Sequence, residues 1–274
     1  MMTKLPHLRP ARTLSRAMSI ALLVACKGLC AQEMTSQVIV TGLSDPVEKS
    51  YRRMVRGMDH FERAREDLAP DASLRFKLLP RKPGTDIDHI VLKVIGDTFA
   101  YQLPIAADHS FALDRNLKAL QEDAVVSPDR KRLSMTWRAD IRTPGLPPGS
   151  RRLGDLRLEC QVGLEAGLVS NSSPRSRIAD LFIDSISYCD RKDAKYLYFA
   201  ERPLFSVTLA AGARREVLPT DQLYAMASDD PGLEDDLPYC DCELLVDRTY
   251  FLPLGDHSWP DDTRVELEYM DDRP

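Results

Sequence analysis

From Ser73 onward apolar side chains recur at every second position, a period that half-buried β-strands satisfy and an amphipathic helix does not. Ser73–Leu79, Ile90–Ile95 and Phe99–Ile105 are β-rich runs separated by Pro-Gly or Gly-Asp punctuation. Further along, Leu156, Leu158, Cys160 and Val162 alternate with Arg157, Glu159 and Gln161. Val265, Leu267 and Tyr269 do the same with Arg264, Glu266 and Glu268. Strands are expected there, with Cys160 on the core face of the first. Phe205-Val207-Leu209 and Leu244–Leu252 add two more, with turns at Ala211-Gly212 and Gly255-Asp256.

One segment breaks this period. Asp45, Pro46 and Glu48 have the spacing of an N-cap, a first helical residue and a capping-box acid, which predicts a helix from 46 to about 68. Val47, Tyr51, Met54, Met58, Phe61 and Leu68 form its apolar stripe, while Arg52, Arg53, Arg56, His60 and Arg63 gather on other faces, the arginines toward water. Glu48, Glu62 and Glu66 interrupt that basic field, which argues against a dock for anionic lipid. Residues 178–189 are also expected to be helical, since Ile178, Leu181, Phe182, Ile186 and Cys189 fit that spacing.

The run ending at Ile105 should reverse through Ala107-Asp108-His109 into Phe111 and Leu113. Asp108, Phe111 and Leu113 resemble the hairpin of the carboxypeptidase-regulatory or transthyretin-like β-sandwich family, over about 15 residues, with His109 where that family has Gly. The resemblance implies an architecture and no activity. Three prolines and two glycines in 142–150 mark a boundary or a long loop. The expected fold is therefore mainly β with an N-terminal amphipathic helix (α+β), built as one or two β-sandwich-like domains. Residues 1–31 are a signal peptide, 32–145 a helix plus antiparallel β domain, and 146–274 a disulfide-containing β-sandwich domain.

The signal peptide is read from Lys4, Arg9, Arg12 and Arg16 ahead of the short apolar run Ala17–Ala25. That run is far shorter than the roughly 20 residues of a membrane-spanning helix, so no transmembrane span is expected in the mature protein. Two processing routes compete. Cleavage after Ala31 gives a soluble periplasmic or secreted protein, whereas Leu23-Val24-Ala25-Cys26 resembles a lipobox, which would make Cys26 the lipidation site of an outer-membrane lipoprotein. The first route leaves an even set of cysteines and is favoured on that count. Removing the five Lys/Arg of the leader takes the net charge from −5 to about −10, so nucleic acid is excluded as a partner.

In an oxidising compartment Cys160, Cys189, Cys240 and Cys242 are disulfide candidates. Cys240 and Cys242 project to one side of an extended strand, so the two connectivities that join Cys160 and Cys189 to that pair are expected. A four-thiolate zinc site is disfavoured because a single residue separates Cys240 from Cys242.

No nucleophile elbow, zinc-protease helix, phosphate loop or dinucleotide fingerprint is present, and neither a catalytic residue nor a cofactor is assigned. Asp86, Asp88 and His89 cluster, but strand alternation would separate His89 from the aspartates. His109 and His257 are expected to engage their own turns beside Asp108 and Asp256. Asp229, Asp230, Glu234, Asp235 and Asp236 form an acidic loop that is a candidate cation site without EF-hand spacing. Trp137 and Trp259 are candidates for a sugar-stacking platform, or else for core residues. The function expected is that of an exported, non-catalytic envelope or periplasmic protein. It would act as a binding or structural β module, with an envelope protein or glycan as partner. The alternatives are an extracytoplasmic hydrolase using dispersed Asp/Glu residues, or a calcium-binding module.

Overall fold

The structure, a computed structural model, describes residues 45–168, 185–224 and 245–272, all within one compact unit spanning 38–274. It is mainly β. The expected signal peptide 1–31, with Cys26, and Cys240, Cys242 and the acidic loop 229–236 lie outside the described residues. In chain order the elements are β1 (Lys49–Ser50), α1 (Tyr51–Leu68), β2 (Ser73–Pro80), β3 (Leu92–Ile95), β4 (Ala100–Leu103), β5 (Ser110–Phe111), α2 (Leu117–Gln121), β6 (Val125–Pro128) and β7 (Met135–Arg142). There follow β8 (Ser150–Arg152), α3 (Leu153–Glu165), α4 (Ser185–Cys189), β9 (Tyr198–Phe199), β10 (Leu204–Ala211), β11 (Arg214–Val217), β12 (Thr249–Tyr250) and β13 (Arg264–Tyr269). The strands form antiparallel sheets in the orders β1-β6-β3-β4, β5-β2-β7, β11-β10-β13-β8 and β12-β9. Among the described residues no helix is long and apolar enough to cross a membrane.

The first helix starts five residues later than the capping signal predicts. Ser50, not Asp45, is its N-cap, and its hydroxyl accepts from the Arg53 N–H at 3.3 Å. Asp45 instead has φ 61°, and Pro46–Ser50 run as an extended edge: the Val47 N–H donates to Arg130 O and the Tyr51 N–H to Ala124 O. Tertiary pairing with residues 124–131 outweighs a local cap that is worth about 1 kcal/mol. The apolar stripe is where expected, with Tyr51, Met54, Val55 and Phe61 buried, but the polar side is not uniformly wet. His60 is buried and its Nε2 lies 2.9 Å from Gln161 Oε1. Gly57 is where α1 meets α3, since a Cβ there would stand 2.7 Å from the Cβ of Ala166.

The predicted strand over 156–162 is helix α3, and it accounts for much of the architecture. Its side chains Leu153, Leu156 and Cys160 join an apolar cluster with Tyr198, Tyr250, Val207 and Trp259, while Leu158, Val162 and Ala166 join a second with Met54, Phe76, Phe111 and Trp137. A helix apolar on two sides and buried all round loses the one-sided stripe that marks a surface helix. Its polar residues sit inside, each with a specific partner. The Asp155 carboxylate accepts from the Thr143 N–H at 2.8 Å and its hydroxyl at 2.7 Å. One turn on, Glu159 accepts from the Ile141 N–H at 3.3 Å and from Arg151 Nη2 at 2.6 Å, and the same Arg151 nitrogen donates to Ile141 O at 2.9 Å. Four residues of helix rise about 6 Å and two residues of strand about 6.8 Å, so carboxylates at i and i+4 of α3 match successive outward N–H groups along the end of β7. These side chains serve the edge of β7 as a neighbouring strand would.

Arg157, two residues after Asp155, holds the loop 254–261. Its guanidinium donates to Leu254 O, Asp256 O and Trp259 O at 2.8, 3.0 and 3.1 Å and meets the Asp261 carboxylate at 2.6 Å. Cys160 is bridged to Cys189 of α4 with their Cα atoms 6.1 Å apart. This replaces both connectivities expected from the sequence: Cys160 is on a helix, and its turn faces α4 rather than a later strand. Closing a 29-residue separation contributes about 3–4 kcal/mol.

Other expectations hold with adjusted bounds. The strands at 73, 92, 100, 204 and 264 are present, Gly212 turns β10 into β11 with φ 56°, and of the helix expected over 178–189 Ser185–Cys189 are helical, 178–184 lying outside the described residues. Most of 244–252, by contrast, is a single 3₁₀ turn (Val246–Arg248) followed by the two-residue β12.

Candidate binding groove

Part of the outer face of the β5-β2-β7 sheet, along β2 and the end of β7, forms the floor of a groove of about 570 Å³. Along β2, Phe76 and Leu78 enter the core while Arg75, Lys77 and Leu79 point into the groove, as strand alternation requires. The register of β7 sets Asp140 opposite Arg75 and Arg142 opposite Ser73. One wall is the turn carrying Ala107, Asp108 and His109; the other is formed by Ala200, Glu201 and Arg248.

His109 holds a left-handed backbone, φ 62°, in a turn closed by the Ala106 N–H donating to Ser110 O at 2.8 Å. The reversal predicted at 107–109 is therefore made with histidine at the strained position, and Ile105 bridges Phe111 across it. Asp108 accepts from the Ser110 hydroxyl at 2.6 Å and its N–H at 3.0 Å. Those bonds, with the charges of Lys77 and Arg75, hold its carboxyl below the ordinary aspartate range. Arg75 Nε in turn donates to the Ser110 hydroxyl oxygen at 2.6 Å, so the base of this wall is fixed.

The opposite wall carries ion pairs in which Glu201 and Arg142 are exposed and Lys77 and Asp140 are mostly buried. One oxygen of Glu201 meets Lys77 Nζ at 3.0 Å and Arg142 Nη2 at 3.4 Å, while Arg142 Nε donates to Asp140 at 2.8 Å. Arg248 donates to the Glu201 carbonyl at 3.1 Å. Among the described lining residues four cations (Arg75, Lys77, Arg142, Arg248) thus face three carboxylates (Asp108, Asp140, Glu201), on a chain of net charge −5. Leu79, Pro80 and Ile87 make the far end apolar, and among the described residues no Phe, Tyr or Trp side chain lines the groove.

The sequence-derived candidates are placed differently. Cys160 and Cys189 are structural. Trp137 and Trp259 are buried in the two apolar clusters, which removes the sugar-stacking platform. Asp86 accepts from the Asp88 and His89 N–H groups and lies 3.1 Å from His89 Nδ1, so a turn unites the residues that strand alternation would have separated. His109 Nε2 reaches Asp88 at 2.7 Å rather than Asp108, and His257 lies 3.8 Å from Asp190 rather than against Asp256. Among the described residues no group of three or more His, Cys, Asp or Glu side chains is placed to hold a metal ion. The groove residues Arg75, Lys77, Asp140, Arg142, Glu201 and Arg248 were not singled out by the sequence. The basic solvent face of β2 was legible from the alternation around Phe76, but its meeting with residues 140–142, 201 and 248 depends on the tertiary fold. No family model matches the chain, and no curated protein and no solved structure is similar to it.

Proposed function

We propose that this is an exported, disulfide-tied binding module, β-sandwich-like in arrangement and non-catalytic, whose groove on β2 and β7 holds a segment of an envelope protein. The groove itself carries this reading: a charged floor on a paired sheet, with one apolar end, suits an extended chain that carries both charged and apolar groups. A glycan is disfavoured as partner because among the described residues no aromatic platform lines the groove and both tryptophans are in the core. The Cys160–Cys189 bridge supports delivery to an oxidising compartment, periplasmic or extracellular, with anchoring through Cys26 as the alternative to a soluble form.

Hydrolysis by dispersed carboxylates is the competing class. Asp140 and Glu201 share the groove, but the Arg142 guanidinium contacts both, whereas an acid and base acting together face each other across a scissile bond. Selection of a random heptapeptide library on the immobilised protein, repeated on Arg75→Ala/Arg142→Ala, tests the proposal. Peptides enriched on the wild type alone, and recovered uncleaved after long incubation, are expected. Enrichment indifferent to the two arginines, or none, defeats the binding reading. Cleavage lost in Asp140→Asn or Glu201→Gln replaces it with the hydrolase.

A further inference from the structure

Glu201 has the character of an occupant of the groove rather than of its frame. Its side chain is 54 % exposed, yet one carboxylate oxygen engages both Lys77, only 15 % exposed, and Arg142. The other groove acids are built in. Asp108 is held by two bonds from Ser110, and Asp140 is largely buried beside Arg142 Nε. The neighbouring Arg248 fastens the Glu201 carbonyl and not its carboxylate, so the backbone is fixed while the side chain can turn away. Lys77 and Arg142 are thereby presented on two paired strands to a carboxylate on a third element, the geometry in which an incoming carboxylate would replace the resident one.

Resting on the binding reading above, we infer that Glu201 is an intramolecular stand-in for a ligand carboxylate, and that the groove takes a peptide acid at Lys77 and Arg142 with an apolar residue at Leu79, Pro80 and Ile87. Arg75, Lys77 and Leu79 share a face at strand spacing, so a peptide lying along β2 meets two cationic positions and then an apolar one. The resident carboxylate competes with every acidic ligand, which weakens binding and excludes neutral peptides that cannot displace it.

The test uses fluorescein-labelled Glu-Ser-Glu-Ser-Leu-Ser, the same peptide as its C-terminal amide, and Gln-Ser-Gln-Ser-Leu-Ser, titrated by anisotropy against the full mature chain. Glu201→Gln should tighten the acidic peptide about tenfold, the scale of one charge-assisted hydrogen bond. Glu216→Gln, an exposed acid on β11 outside the groove, should leave it unchanged, and adding Arg142→Ala to Glu201→Gln should abolish the gain. Equal binding of the amide assigns the contact to the glutamates, and its loss to the C-terminus; either result is a peptide carboxylate. Equal tightening in Glu216→Gln, or no gain in Glu201→Gln while the wild type binds, overturns the stand-in role and leaves the binding module standing. If the glutamine peptide, also prepared as its C-terminal amide so that it carries no carboxylate, binds as well as the acidic one, the carboxylate is wrong. If no peptide binds any variant, the inference falls, and the library selection decides separately whether the groove binds peptides.

Discussion

Helix α3 and the groove are built from the same charged residue types at opposite ends of the exposure scale. On α3 and its neighbour β8, Glu159 and Arg151 are 9 % and 6 % exposed, and their polar contacts answer the Ile141 backbone and each other. In the groove, Glu201 and Arg142 are 54 % and 43 % exposed and pair only with each other and with side chains nearby. Burial turns a charge into a structural fastener, because losing its partner then exposes the full cost of desolvation. Exposure leaves a charge exchangeable, because water can replace the partner at little cost.

The sharpest way to break this contrast is at Arg157. Arg157→Ala strands three carbonyls and Asp261 and should destabilise by about 3–5 kcal/mol in urea unfolding. A loss near that of a surface substitution would show that the loop 254–261 does not depend on it. Next is the bridge: Cys160→Ser/Cys189→Ser should lose about 3–4 kcal/mol, and dithiothreitol should lower the wild-type midpoint without changing that of the double variant.

Arg151→Met/Glu159→Leu separates an ion pair from an edge cap. An isolated buried pair is often replaced by apolar residues without loss. Here both the N–H and the C=O of Ile141 would lose their partners, so a loss of at least about 2 kcal/mol is expected, and a neutral result would refute the cap. Burial pushes the Glu159 carboxyl above the ordinary glutamate range, with Arg151 opposing and Asp140 adding to the rise. A folded-state value raised in this way lends stability at acid pH that fades as pH climbs through it, so this pair does not drive acid unfolding.

Lys49 extends the comparison to pH. Burial, then the charges of Arg138, Arg81 and Arg53, hold its ammonium well below the ordinary lysine value. The unfolded chain therefore binds the extra proton between the folded value and 10.5, and stability must rise with pH across that interval. Unfolding free energy measured from about pH 7 to about pH 9.5 should climb by no more than about 1.4 kcal/mol per unit, and Lys49→Met should flatten the slope. Buried Tyr198 and Tyr250, whose phenols burial raises, act in the opposite sense only at higher pH. The smallest effect belongs to the groove. Lys77→Ala should change stability by under about 0.5 kcal/mol despite its 3.0 Å contact with Glu201. A larger loss would make that pair structural and erase the distinction.

The sequence alone determined the long helix through Phe61, the alternating strands at β2, β10 and β13, the turns at Gly212 and Ala107–His109, and the chemistry of an even set of downstream cysteines. Each depends on neighbours within a few residues, where period and turn type are local properties. The alternation of Met135, Trp137, Ala139 and Ile141 was equally readable and marks β7. The tertiary structure decided the rest. Leu156–Val162 alternates as a strand would, yet folds as a helix, because Arg157, Glu159 and Gln161 find partners at Asp261, Arg151 and His60 that lie far away in the chain or on another element. The choice of Cys189 for Cys160, and the meeting of Lys77, Arg142 and Glu201, arise the same way: alternation fixes which face a side chain takes, and only the packed fold fixes what stands opposite it.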